Sequence, residues 1–119
     1  MEYKLILSEE FNNWRNALSL PELEDIQASL YLLRRMGVNL PYPYSSKIND
    51  KSIKTKHMRE LRIQHKGNPY RVLYAFSPEQ NAVLLLGGCK TNDKRWYKKN
   101  VPFADKIYQE YLKSLNGGK

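Results

Sequence analysis

At 119 residues the chain has room for one ordinary domain, which buries roughly two-thirds of the surface its unfolded form exposes; residues 1–119 read as a single unit. A lone cysteine, Cys89, excludes an intramolecular disulfide and fits a reducing compartment. Two histidines eight apart, His57 and His65, have no cysteine or paired carboxylate at ligand spacing, which argues against a metal site or other cofactor.

The formal net charge of +8 is unevenly spread. Residues 1–46 carry four basic and six acidic groups, residues 47–71 eight against two, and residues 90–99 five against one. A central basic stripe suits a polyanion, because each Lys or Arg that neutralises a phosphate releases condensed counterion. It equally suits a solvated surface that keeps a small protein soluble.

In chain order, residues 3–7 (YKLIL) predict a short strand, and their apolar run is too short for a signal sequence or a membrane span, so a cytoplasmic protein is expected. Ser8 can cap a helix that carries Phe11, Trp14 and Leu18 at helical spacing. Ser19 followed by Leu20-Pro21-Glu22 is a second helix start, and Leu23, Ile26, Leu30, Leu33 and Met36 form its apolar stripe. Gly37 ends that helix, with Arg34 and Arg35 complementing the dipole of its last turn. Residues 38–56 hold two prolines and then mostly polar and basic groups, which predicts a long loop. Tyr42 and Tyr44 are read as packing that loop onto the helix pair. Lys47, Lys51, Lys54 and Lys56 are spaced to track a phosphodiester backbone.

Residues 57–76 (HMRELRIQHKGNPYRVLYAF) predict the central hairpin, with Lys66-Gly67-Asn68-Pro69 as its connection. Period-two alternation sets Leu61 and Ile63 on one side of the first strand and Glu60, Arg62 and Gln64 on the other. In the second strand Tyr70, Val72, Tyr74 and Phe76 share a face, and Arg71, Leu73 and Ala75 share its opposite. If the larger apolar face packs on helices, Glu60, Arg62 and Arg71 remain together on the other side of the sheet. After a turn at Ser77-Pro78-Glu79-Gln80-Asn81, the apolar run Ala82 to Leu86 suits a strand buried on both faces.

Cys89, at the end of that strand, reads as a small semi-buried residue rather than a nucleophile. Residues 87–99 mix glycines, bases and the adjacent Trp96 and Tyr97 on a predicted loop that can clamp phosphates and stack on bases. The alternative is that the aromatics anchor the loop to the core, which is the favoured role for Trp96 but not for Tyr97. Val101, Ala104, Ile107, Tyr108, Tyr111, Leu112 and Leu115 predict a final amphipathic helix with Pro102 in its first turn, closed by Asn116-Gly117-Gly118.

This order of elements and the strings FNNW, HMRELRIQH, YRVLYAF, VLLLGGCKTNDKRWY and VPFADKIYQEYL resemble the RelE/HigB branch of the RelE/ParE toxin superfamily, in particular its phage-derived members. The resemblance implies an α+β fold of the RelE-like microbial ribonuclease type. Its antiparallel-centred sheet would have about four strands, with two N-terminal helices and one C-terminal helix. It also implies the toxin of a type II toxin–antitoxin pair, an endoribonuclease cutting messenger RNA, often on the ribosome, and held inactive by a HigA-like antitoxin with a helix-turn-helix DNA-binding fold.

Carried over by position, the family's basic and aromatic site residues fall on Arg62, Arg71, Lys90 and Tyr97. Cleavage by the RNA's own 2′-hydroxyl needs a base, cations on the pentavalent phosphorane and an acid for the leaving 5′-oxygen, and it needs no metal. Arg62 and Arg71 are assigned to clamping the transition state, since a guanidinium matches phosphate oxygens bidentately, and Lys90 adds a point charge. Glu60 is a candidate base, or a carboxylate orienting the arginines, and Tyr97 a candidate for stacking or proton transfer. Lys54, Lys56, Lys66, Lys94, Arg95 and Trp96 are candidate RNA contacts. All of this expects Arg62 and Arg71 to converge with Lys90 and Tyr97 on one open concavity. Rival readings are a non-catalytic nucleic-acid-binding domain, a ParE-like toxin acting on DNA gyrase, and an interaction module.

Overall fold

The computed structural model describes residues 2–116; the expected terminating glycines, Gly117 and Gly118, lie outside the described residues. The elements in order are β1 (Leu5–Leu7), α1 (Glu9–Asn16), α2 (Leu20–Met36), a 3₁₀ turn (Gly37–Asn39), β2 (Ser45–Lys47), β3 (Arg59–His65), β4 (Asn68–Phe76), β5 (Ala82–Cys89) and α3 (Trp96–Asn116). The strands form one five-stranded sheet of order β1-β5-β4-β3-β2, in which β1 runs parallel to β5 and every other pair is antiparallel. The class is α+β, as expected. The sheet gains a strand over the expected four because Ser45–Lys47, inside the stretch read as loop, pairs with Arg59–Leu61.

Side-chain alternation decides the layers. Leu61, Ile63, Tyr70, Val72 and Tyr74 face Phe11, Ile26, Leu30 and Leu33 of α1 and α2. Leu73, Ala75, Val83 and Leu85 face Trp96, Val101, Ala104 and Ile107 of α3. The strand β5 lies between β1 and β4, which accounts for its unbroken apolar run. Leu73 pairs with Leu86 but Tyr74 with Leu84, so Leu85 is the extra residue of a bulge, and both Leu85 and Leu86 join the α3-side core.

The helix starts follow the cap residues. Ser8 Oγ accepts from the Phe11 N–H at 3.0 Å, and Ser19 closes a capping box with Glu22. Glu22 also accepts the Tyr70 hydroxyl at 2.5 Å, which ties the start of α2 to β4. At the other end Gly37 adopts φ +53°, a left-handed value that stops α2. The hairpin connection is tighter than expected: Lys66 (φ 49°) and Gly67 (φ 78°) alone make the turn, and Asn68 and Pro69 already pair with His65 and Gln64. Positive φ at both central residues matches the twist of the flanking strands.

The last helix begins at Trp96 rather than at Val101, so Pro102 lies inside it and not in its first turn. Trp96 is 5% exposed, within the α3-side core. A Cβ on Gly88 would lie 2.6 Å from its indole nitrogen, so only glycine lets the ring seat against β5. This burial corrects the expectation that Trp96 contacts RNA.

Two outcomes follow from this packing. Trp96→Ala should lower unfolding free energy by about 3–5 kcal/mol, read by urea denaturation; a change under about 1 kcal/mol would contradict its place in the core. The Tyr70 hydroxyl first, and then the Ser19 amide and hydroxyl of the cap, hold Glu22 down from 4.5 to about 2, and the bond to Glu22 first, then burial, pushes Tyr70 up to about 12. A depressed carboxylate stabilises the fold above its unfolded pKa and loses that contribution as pH falls through the folded one. Tyr70→Phe should therefore be less stable than the parent near pH 6, with the gap closing between pH 4.5 and about 2.

Candidate active site

The register sets Arg62 of β3 directly opposite Arg71 of β4, and Arg71 opposite Gly88 of β5. The two arginines share the sheet face on which α3 packs, as the alternation predicts. Like charges directly opposite destabilise a sheet, and Glu60, two residues before Arg62 on the same face, supplies the countercharge. Its Oε1 lies 3.4 Å from Arg71 Nε and its Oε2 3.4 Å from Arg62 Nη1.

Shorter bonds come from hydroxyls. Tyr97 Oη donates to Glu60 Oε1 at 2.6 Å, and Ser46 Oγ donates to Oε2 at 2.6 Å across the β2–β3 pair. Both carboxylate oxygens are thus engaged in a residue only 5% exposed.

The arginines differ in access. Arg71 is 5% exposed, donating Nη1–H to the Tyr70 carbonyl at 3.0 Å and Nε–H to Tyr97 Oη at 3.3 Å. Arg62 has a side chain 30% exposed, with its guanidinium carbon 5.2 Å from the centroid of the Tyr42 ring. The expectation that both arginines lie open in one concavity is corrected to this extent: Tyr97 and Glu60 lie over Arg71. Tyr97 sits in the first turn of α3, and burial first, then its bond to Glu60, raises its phenol above the usual value. It is a protonated donor at neutral pH. Lys90 Nζ lies 5.2 Å from the centroid of the Tyr97 ring, which brings the fourth cationic or aromatic candidate to the same cluster.

Two grooves meet at this cluster. One, of about 560 Å³, is lined by Pro43, Tyr44, Arg62, Gln64, Gly67, Pro69 and Arg71. The other, of about 460 Å³, is lined by Glu60, Tyr97, Val101, Lys47, Lys98 and the Ile48–Asp50 stretch. Of the expected RNA contacts, Lys54, Lys66, Lys94 and Arg95 are exposed but line neither groove, and Lys56 lines a neighbouring depression with Lys47 and Lys51. Asp105 of α3 holds that loop, accepting from the Lys54 and Thr55 amides at 3.0 and 2.7 Å.

Sequence reading missed Ser46 and Lys98 as neighbours of the site. It also assigned Tyr42 and Tyr44 to loop packing, whereas they are 70% and 48% exposed beside Arg62. The signal for Ser46 was its register against Glu60, invisible while β2 is read as loop. Cys89 is exposed rather than semi-buried, its sulfur 3.1 Å from Thr91 Oγ1. His65 pairs with Asp25 at 2.6 Å on the α2 side of the sheet, away from this cluster. Among the described residues no group of three or more His, Cys, Asp or Glu side chains is placed to hold a metal ion.

The family model described as phage derived protein Gp49-like (DUF891) matches residues 13–109, and the chain belongs to that family. A Mycobacterium tuberculosis (strain ATCC 25618 / H37Rv) protein named "Putative toxin HigB3" is 37% identical over 115 residues, covering 96% of this chain and 97% of its own length. A second protein of that strain, "Putative toxin HigB2", is 29% identical over 106 residues, covering 87% of this chain and 52% of its own length. The RelE/HigB-like, phage-derived resemblance read from the sequence is borne out.

Removing the buried carboxylate should be costly because it leaves two opposed guanidiniums uncompensated. Glu60→Met is expected to lose about 3–5 kcal/mol of stability, and the double variant Glu60→Met/Arg71→Met to recover part of that loss. Equal stability of Glu60→Met and the parent in denaturant titrations would show that Glu60 does not hold the cluster.

Proposed function

We propose that this chain is the toxin of a toxin–antitoxin pair and acts in the cytoplasm as a metal-independent endoribonuclease on messenger RNA. The observation that carries the reading is the opposed Arg62–Arg71 pair on one sheet face, with a hydroxyl from Tyr97 and the Lys90 ammonium beside it. The family membership and the names of the two mycobacterial relatives support the toxin part of it.

The chemistry uses groups already gathered. A scissile phosphate entering the Arg62 groove would take over guanidinium N–H groups whose contacts to Glu60, at 3.4 Å, are the longest in the cluster. Phosphate oxygens match that fork bidentately, and negative charge developing on the phosphorane strengthens the contact. Glu60, released from Arg62, would then take the 2′-hydroxyl proton while the 2′-oxygen attacks phosphorus. The P–O5′ bond breaks as the leaving 5′-oxygen takes a proton from the Tyr97 phenol, which in turn would regain one from the Glu60 carboxyl bonded to it, leaving a 2′,3′-cyclic phosphate and a 5′-hydroxyl end. Tyr97, held protonated, would donate a hydrogen bond to the developing oxyanion. Lys90, Lys47 and Lys98 add charge along the strand's path.

A second reading is favoured by one observation: both Glu60 oxygens already accept hydroxyl protons, which suits an orienting carboxylate and a domain that binds nucleic acid without cutting it. Expressing the chain and mapping RNA ends separates the readings. Ribonuclease activity gives new 5′-hydroxyl ends that fall about 10²- to 10³-fold in Arg62→Ala, with circular dichroism unchanged. Undiminished cleavage or toxicity in both Arg62→Ala and Arg71→Lys would remove this site from consideration. Salt-sensitive RNA binding without cleavage, on ribosomes as well as off them, selects the binding domain, and lost gyrase supercoiling selects a ParE-like action. The antitoxin partner, by charge complementarity, would present acidic groups to this basic face and is expected to be HigA-like.

A further inference from the structure

We propose that Tyr42, with Tyr44, is a nucleobase-stacking subsite that seats the base next to the phosphate held by Arg62; the inference rests on the RNA-binding reading above. Tyr42 and Tyr44 flank one proline, and Pro43 and Tyr44 line the groove of about 560 Å³ together with Arg62 and Gln64. Tyr42 is 70% exposed. The Arg62 guanidinium carbon lies over its ring, 5.2 Å from the centroid.

The segment is fixed at both ends. Leu40 is buried in the α1/α2-side core, the Tyr44 and Ser45 amides both donate to the Pro41 carbonyl, and the Tyr44 carbonyl accepts the Arg62 N–H at 2.9 Å. The backbone that carries the two rings is therefore bonded to the strand that carries the arginine. A base stacking on Tyr42 would place its own phosphate within reach of Arg62 without a loop rearrangement, and a guanidinium already over the ring adds a cation to the stack. Gln64, exposed and in the same groove two residues beyond Arg62, offers both an amide donor and an acceptor to the base edge. An unpaired base is the occupant this favours, because a flat π-face and an adjacent anion are what the aromatic and the arginine together recognise.

The test uses a short single-stranded RNA with 2-aminopurine next to the scissile position and a 2′-deoxy sugar there, so that cleavage does not intervene. Wild-type chain should quench the 2-aminopurine. Tyr42→Ala should leave it bright and bind between about fivefold and about a hundredfold more weakly, with the slope of log affinity against log salt unchanged. Tyr42→Phe should restore both signals. An abasic site at that position should make wild type and Tyr42→Ala equal. Tyr42→Ala binding like wild type, or losing affinity equally for the abasic RNA, overturns the subsite while leaving the RNA-binding reading intact. A wild-type chain that binds no RNA, free or on ribosomes, overturns both.

Discussion

A single buried carboxylate lets two arginines stand opposite each other on neighbouring strands. At 3.4 Å and an effective dielectric near 20, each Glu60–guanidinium pair contributes about 5 kcal/mol of attraction, while moving ions out of water costs several kcal/mol apiece. The two nearly cancel. What the arrangement supplies is therefore geometry: Arg62 and Arg71 are held side by side, charged, and aimed along one sheet face. The short hydroxyl bonds from Tyr97 and Ser46 fix the carboxylate, so its position depends on α3 and β2 as well as on β3.

Those two dependences explain why the minor elements matter. The strand β2 is only three residues long, yet its pairing with β3 brings Ser46 to Glu60 and carries the Tyr42–Tyr44 segment to the side of Arg62. The helix α3 starts five residues before its apolar stripe, and that extra turn delivers Tyr97 to the cluster. Trp96 anchors the turn by filling the space over Gly88. Asn100 adds a bond within that turn, its side-chain amide donating to the Trp96 carbonyl at 2.8 Å.

The hairpin faces were legible because a period of two cannot be satisfied any other way once one side is apolar. That pattern alone put Glu60, Arg62 and Arg71 together. The strand β2, Ser-Ser-Lys, was not legible: it has no alternation, sits after two prolines, and exists because β3 offers a free edge. Pro102 misled the start of α3, since proline in a first turn is the commoner case and the buried Trp96 that lengthens the helix acts through Gly88, distant in sequence. Charge counting was the bluntest guide. It weighted Lys54, Lys66 and Lys94 as heavily as Lys47, Lys90 and Lys98, and only tertiary structure separates those beside the cluster from those solvated elsewhere.

The unequal burial of the two arginines divides the proposed labour between them. Arg71 is locked by the Tyr70 carbonyl, Tyr97 and Glu60, so it is preorganised and under the proposed reading would act on a phosphate through its field more than through new hydrogen bonds. Arg62 has one long contact to Glu60, one ring beside it and open groove ahead. It alone can exchange partners without dismantling the core. A site with one fixed and one exchangeable cation binds a phosphate by moving a single side chain. That confines the reorganisation of the cluster to the Arg62–Glu60 contact, and the same movement would free the carboxylate that the proposed reaction needs as a base.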